Sequence, residues 1–247
     1  MSQPAYVILG ASGAVGSAVA RRLARQGARL VLGGRDITRL QAVADETGGI
    51  ARVGDATNTA DVDATVALAT ERFGQLDGAA NCVGSILLKP LHLTRDEEFQ
   101  ATLATNLTSA FLLLRAAVRA MGAAGGSVVL VSTAAADTGL PNHEAIAAAK
   151  AGIEGLARSA AATYATRNIR VNCVAPGLVR SALSARITGN EGALKASIAM
   201  HALGRIGDPD DVASAIAWFL DPANSWVTGQ VLGVDGGLGR LRRGRDT

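Results

Sequence analysis

Seven short apolar runs recur along the chain, most of them followed by a stretch with helical spacing. This alternation limits the possible fold more than any other feature. The runs cover residues 6–9, 29–32, 50–53, 78–81, 127–132, 170–175 and 230–234. The helical stretches cover 14–26, 38–47, 60–73, 105–121, 143–166 and 210–220. Strands that alternate with helices pair in parallel through right-handed crossovers. The expected architecture is therefore α/β, a doubly wound parallel sheet of about seven strands with helices on both faces. No Pro/Ser-rich linker interrupts the 247 residues, and one domain of this length builds a full core. The stretch 181–206 is less regular; it follows a strand end and is expected to act as a lid. Residues 238–247 read as a C-terminal tail.

Composition narrows the function classes. A net charge of +3 supplies no broad basic face for nucleic acid, and Arg240, Arg242, Arg243 and Arg245 read as a solvated tail. Cys82 and Cys173 lie in apolar runs and read as small buried hydrophobes. His92, His143 and His201 lack ligand spacing, so no metal site is expected. The first strand starts almost at once, without a signal-like leader, and no apolar run is long enough to span a bilayer. These features together read as a soluble, cytoplasmic protein.

In open α/β sheets the ligand lies beyond the carboxyl ends of the strands. After the first strand comes Gly10-Ala11-Ser12-Gly13-Ala14-Val15-Gly16 and then a helix. Glycines let the backbone approach a pyrophosphate, and the helix end offers it free N–H groups. The second strand ends in Gly33-Gly34-Arg35-Asp36. An acid at the strand tip would accept bonds from a ribose 2′-hydroxyl, whereas the Arg35 guanidinium suits a 2′-phosphate. Asp36 reads equally as a helix N-cap, with Thr38 as its rival. NADP(H) is favoured, with NAD(H) the alternative.

These residues resemble the short-chain dehydrogenase/reductase family, with Ala14 standing where its glycine turn usually has the middle glycine. The resemblance runs from Tyr6 to Gly237 and implies a single-domain Rossmann fold. It places Asp55-Ala56 beside the adenine and matches Asn81 and Gly84 to the ends of an Asn-Asn-Ala-Gly segment. Pro176-Gly177 then border the nicotinamide, with the Val179 backbone holding its carboxamide. Thr228-Gly229-Gln230 and Val234-Asp235-Gly236-Gly237 complete the likeness. It also implies a small-molecule substrate and a homotetramer or dimer.

The family reduces carbonyls or oxidises alcohols by hydride transfer, and charge left on oxygen calls for a proton donor. Its lysine matches Lys150, its asparagine Asn106, and its serine position holds Thr133. The tyrosine, four residues before the lysine, is Ile146 here. Losing a general acid costs about a hundredfold to ten-thousandfold in rate. His143 lies seven residues before Lys150 on the same helical face. Enoyl reductases of the superfamily carry their tyrosine at that spacing, so His143, or a water, is the candidate donor. Asn142 is the candidate cap of that helix. His143 reads alternatively as a helix-entry residue bonded to backbone or to Glu144. Tyr6 and Tyr164 read as packing residues. The expectation is an oxidoreductase acting on a carbonyl, an alcohol or an activated double bond. The alternative is a dinucleotide-binding sensor or partner subunit with little turnover.

Overall fold

A computed structural model describes residues 3–241 of the chain. Arg242, Arg243 and Arg245 of the expected tail lie outside the described residues. Seven parallel strands form one sheet: β1 (Ala5–Leu9), β2 (Arg29–Gly34), β3 (Ile50–Val53), β4 (Gly78–Asn81), β5 (Gly126–Val131), β6 (Ile169–Pro176) and β7 (Val231–Val234), in the order β3-β2-β1-β4-β5-β6-β7. The helices are α1 (Ala14–Arg25), α2 (Ile37–Thr47), α3 (Thr59–Phe73), α4 (Asp96–Leu103), α5 (Ser109–Met121), α6 (Glu144–Tyr164), α7 (Ala185–Thr188), α8 (Glu191–Met200) and α9 (Pro209–Leu220).

The strand sequences reflect burial on two faces. Every residue of β1, β4 and β6 is buried; β1 reads as an unbroken apolar run, whereas β6 also buries Arg170 and Asn172, which donate to the Phe219 and Val227 carbonyls. Edge strands β3 and β7 are only partly covered. Alternate side chains feed two separate cores. Val7, Leu9, Val128, Leu130 and Val171 pack with Leu113 of α5 and Ile153 of α6. Tyr6, Ile8, Leu30, Leu32 and Val129 pack with Leu23 of α1, Leu40 of α2 and Ile216 of α9. Cys173 lies in the first core, and neither cysteine forms a disulfide.

Local chemistry sets the helix starts. Asp36 caps α2 by accepting the Arg39 N–H at 3.1 Å, so the cap is Asp36 and not Thr38. Asp208 and Asp211 form a reciprocal capping box on α9, with Pro209 at its first position. Two expectations need correction. The cap position of α6 is His143 and not Asn142, which takes the left-handed conformation at φ 64°. The helix expected over 105–121 begins nine residues earlier, because the polar Asp-Glu-Glu start of α4 disguises it. The run Asp96–Met121 is continuous through a π turn at Ala104–Thr108. By length and composition it could cross a membrane, but 56% of its apolar window is buried inside the fold.

The chain leaves β1 toward β2 and β3, then returns to add β4 on the other side of β1. Connections from neighbouring strands therefore diverge above Leu9 and Asn81, which pair in register. A crevice opens at such a switch point.

Candidate active site

A cavity of about 960 Å³ occupies that crevice and continues over the ends of β5 and β6. Its floor begins at Gly10, whose φ of +75° lets the chain turn sharply; a Cβ there would meet the Cys82 carbonyl carbon at 2.8 Å. The Gly10 and Ala11 N–H groups both donate to the Gly33 carbonyl. Ser12, Gly13, Ala14 and Val15 line the cavity as α1 begins. Gly13 sits at the cap position without a side chain to satisfy the helix N–H groups, and the first turn holds no acid. That leaves the positive end of α1 open to an anion. Gly16 does not line the cavity. Its requirement is packing: a Cβ there would overlap the Gly10 carbonyl oxygen.

Beside this end stand Arg21, Arg35 and Arg39. Arg39, which sequence reasoning missed, folds back from α2 and donates from Nη2 to the Ser12 carbonyl at 3.1 Å. Arg21 pairs with Glu46 at 2.6 Å. Asp55 and Ala56 line the next wall. The Asp55 carboxylate accepts the Thr57 N–H and hydroxyl, each at 2.8 Å, which holds its pKa below the ordinary value, and Arg35 adds to the effect.

At the other end, Gly84, Asn106, Thr133, Ile146 and Lys150 come together. Asn106 lies inside the π turn, fully buried. Its Nδ2 donates to Ser85 Oγ and to the Thr102 carbonyl, both at 2.9 Å, and its Oδ1 accepts the Ser85 N–H at 3.2 Å. The side chain thus fixes the loop after β4 against the helix. Lys150 Nζ donates to the Val131 carbonyl at 2.7 Å, and burial lowers its pKa to about 8. Behind it, Ser132 Oγ donates to Glu154 Oε1 at 2.7 Å, and burial raises the Glu154 pKa. Thr133 Oγ1 donates weakly to the Pro176 carbonyl at 3.4 Å. Asn81 supports this end from below and does not line it. Buried, it donates to Ser109 Oγ at 3.0 Å and accepts the Val83 N–H at 3.1 Å.

His143 is the predicted catalytic residue that the structure does not bring to the cavity. Its Nδ1 lies 2.8 Å from the Pro141 carbonyl, and it belongs to the helix entry. Ile146 occupies the lining position one turn later. Tyr6 cannot substitute, because it is buried in the core with its pKa raised to about 12, mainly by that burial. Tyr164 packs at the far end of α6 and beneath the Arg167 guanidinium.

Pro176, Gly177, Leu178 and Val179 form the far wall. Gly207 bridges this segment, donating to the Leu178 carbonyl at 2.8 Å and accepting the Arg180 N–H at 2.9 Å. In such a parallel bridge the polar groups of the intervening Val179 point away from Gly207. The Val179 carbonyl accepts Ser184 Oγ at 2.6 Å, while its N–H has no partner among the described residues.

Comparison with known proteins bears on the family and the fold. A family model described as enoyl-(acyl carrier protein) reductase matches residues 10–239. The chain is 37% identical over 238 residues to the cis-4-hydroxycyclohexanecarboxylate dehydrogenase of Sinomonas cyclohexanicum, covering 94% of each protein. It is 32% identical to the 3-oxoacyl-[acyl-carrier-protein] reductase FabG of Vibrio cholerae, covering 94% of this chain and 96% of the relative. Among solved structures it is similar to a short-chain dehydrogenase/reductase from Mycobacterium ulcerans, with TM-score 0.90, 30% identity and coverage of 100% and 94%. It is also similar to a variant actinorhodin polyketide ketoreductase crystallised with NADPH, with TM-score 0.91, 26% identity and coverage of 98% and 100%.

Proposed function

The chain belongs to the short-chain dehydrogenase/reductase family, and from that premise we propose that it is an NADP(H)-dependent oxidoreductase. Its substrate is a small carbonyl or alcohol, or an activated double bond. The observation that carries this reading is the continuity of one cavity from the uncapped start of α1 to Lys150 and Thr133. Residues 10–15 would hold the phosphates, Asp55 and Ala56 would border the adenine, and Lys150 would bond the ribose hydroxyls beside the nicotinamide. The preference for NADP(H) over NAD(H) rests on Arg35 and Arg39. The one acid at that strand tip, Asp36, is committed to capping α2.

When bound, the dinucleotide supplies or takes the hydride. The chain's own groups handle the rest. Thr133 bonds the substrate oxygen, Asn106 holds the loop that carries Gly84 and Ser85, and Val179 offers its unpaired N–H to the carboxamide. With Ile146 in the donor's place, solvent water brings the proton to oxygen. A binding protein with little turnover is the competing reading. It rests on Ile146, whereas the relatives found are named as dehydrogenases and reductases.

A soluble cytoplasmic enzyme that assembles as a homo-oligomer completes the proposal. Phe111 of α5 stays half exposed, as it would if a second copy covered it. The direct test is NADPH consumption against a panel of ketones, aldehydes and enones. Consumption with any of them supports an oxidoreductase. Tight binding with no consumption on the whole panel supports the competing reading.

A further inference from the structure

His201 follows the last turn of α8 and is 1% exposed, although it belongs to no feature of the site described above. Its Nδ1 lies 2.6 Å from the Ser197 carbonyl, and its Nε2 lies 3.2 Å from the Leu178 nitrogen. A carbonyl only accepts and an amide N–H only donates, so Nδ1 carries the proton and Nε2 is the bare acceptor. The imidazole therefore ties the end of α8 to the segment that forms the cavity's far wall, 23 residues away in sequence.

The space for this tie is reserved on the other side. A Cβ on Gly177 would stand 2.5 Å from His201 Nε2 and 3.1 Å from the Asp235 Cα. Gly177 thus has a packing requirement separate from any ligand. The chain after His201 is anchored as well, with the Leu203 N–H donating to the Gly236 carbonyl at 3.0 Å. The charged groups nearby are already engaged. Arg205 and Asp211 form a two-pronged pair at 2.6 and 2.9 Å, and Asp235 accepts the Gly237 and Gly239 N–H groups. The ring serves a wall segment in which Leu178 N–H is taken by His201, Arg180 N–H by Gly207 and Gly177 N–H by Val234. Only the Val179 N–H in that segment lacks a partner among the described residues.

We propose that His201 is a positioning residue that fastens α8 to the 177–180 wall, so that the 181–206 segment and the Val179 amide are held as one unit over the nicotinamide end of the cavity. The proposal rests on the dinucleotide reading above. It predicts a selective effect, because His201 acts on the nicotinamide half of the ligand and the adenine half lies across the cavity.

The test compares His201→Leu, which fills the space without an acceptor, with His201→Gln, whose Oε1 can accept the Leu178 N–H. Binding of NADPH and of adenosine 2′,5′-bisphosphate, which lacks the nicotinamide half, is measured by calorimetry. The expected result is NADPH affinity about tenfold weaker in the leucine variant, the worth of one well-placed hydrogen bond, and restored by glutamine. Binding of the bisphosphate is unchanged throughout. Equal NADPH affinity in the wild type and the leucine variant overturns the proposal, and so does an equal loss for both ligands. If the wild type binds neither ligand, the dinucleotide reading itself fails and takes the proposal with it. Amide exchange on the wild-type protein needs no variant. The Leu178 amide is expected to be protected with or without NADPH, and the Val179 amide only with it. A Leu178 amide that exchanges freely in both states contradicts the proposal.

Discussion

Lys150 Nζ stands 2.7 Å from the carbonyl oxygen of Val131, inside the fold, where burial lowers its pKa to about 8. This contact joins α6 to the end of β5, beside the cavity that Lys150 lines. Burial of the amine also makes stability depend on pH. Below about 8 the folded protein bears the full cost of a buried ammonium. Between that value and the ordinary 10.5 the unfolded chain holds more protons, so stability from this group rises with pH. The slope is at most about 1.4 kcal/mol per pH unit. Cys82 and Cys173 oppose it above their ordinary value of 9.0, because burial raises both to about 12 and the folded state then keeps protons that the unfolded state sheds. Urea unfolding from pH 7 to pH 10 should therefore show a rise in the wild type relative to Lys150→Met. Parallel pH profiles for the two proteins would refute the assignment.

Arg35 and Arg39 differ in how visible they are. Arg35 follows the second strand directly and stands out in the sequence. Arg39 is one turn into α2 and reaches the glycine turn only because Asp36 starts the helix where it does. Replacing either with alanine should weaken NADPH binding by about 1.5–3 kcal/mol, the usual worth of a hydrogen bond to a charged group. NADH binding should stay the same. Equal losses for both cofactors would show that the arginines do not meet a 2′-phosphate.

Ile146 lines the cavity at the position where the resemblance implies a tyrosine, and His143 is not among the lining residues. Ile146→Tyr should raise carbonyl reduction, and a restored general acid is worth about a hundredfold or more. His143→Ala should leave turnover unchanged. A sharp loss in the alanine variant would return the donor's role to the imidazole.

The fold was legible in the sequence because central parallel strands are covered on both faces and so read as largely apolar runs, although β6 also buries Arg170 and Asn172. Much of the cavity lining was legible because its residues follow strand ends, within a few positions of a glycine or proline. Other parts were hidden for physical reasons. The polar first turn of α4 resembles a loop, and the π turn around Asn106 leaves no periodic signature. His201 and Leu178 lie 23 residues apart in sequence, with α7 and α8 between them. Gly16 and Asn81 were expected at the cofactor, yet neither lines the cavity: Gly16 packs against Gly10 and Asn81 bonds Ser109. His143 shares a helical face with Lys150 by spacing, but it sits at the entry of α6, where the Pro141 carbonyl takes its ring.

The central claim is that the open start of α1 and Lys150 hold one dinucleotide, the first at its diphosphate and the second at its nicotinamide ribose. Isothermal calorimetry of the wild-type protein with NADPH tests it most directly. The predicted result is saturable binding at one site per chain, on the order of micromolar, weakened by Lys150→Met and competed by adenosine 2′,5′-bisphosphate. No heat and no thermal shift with millimolar NADPH or NADH would contradict it.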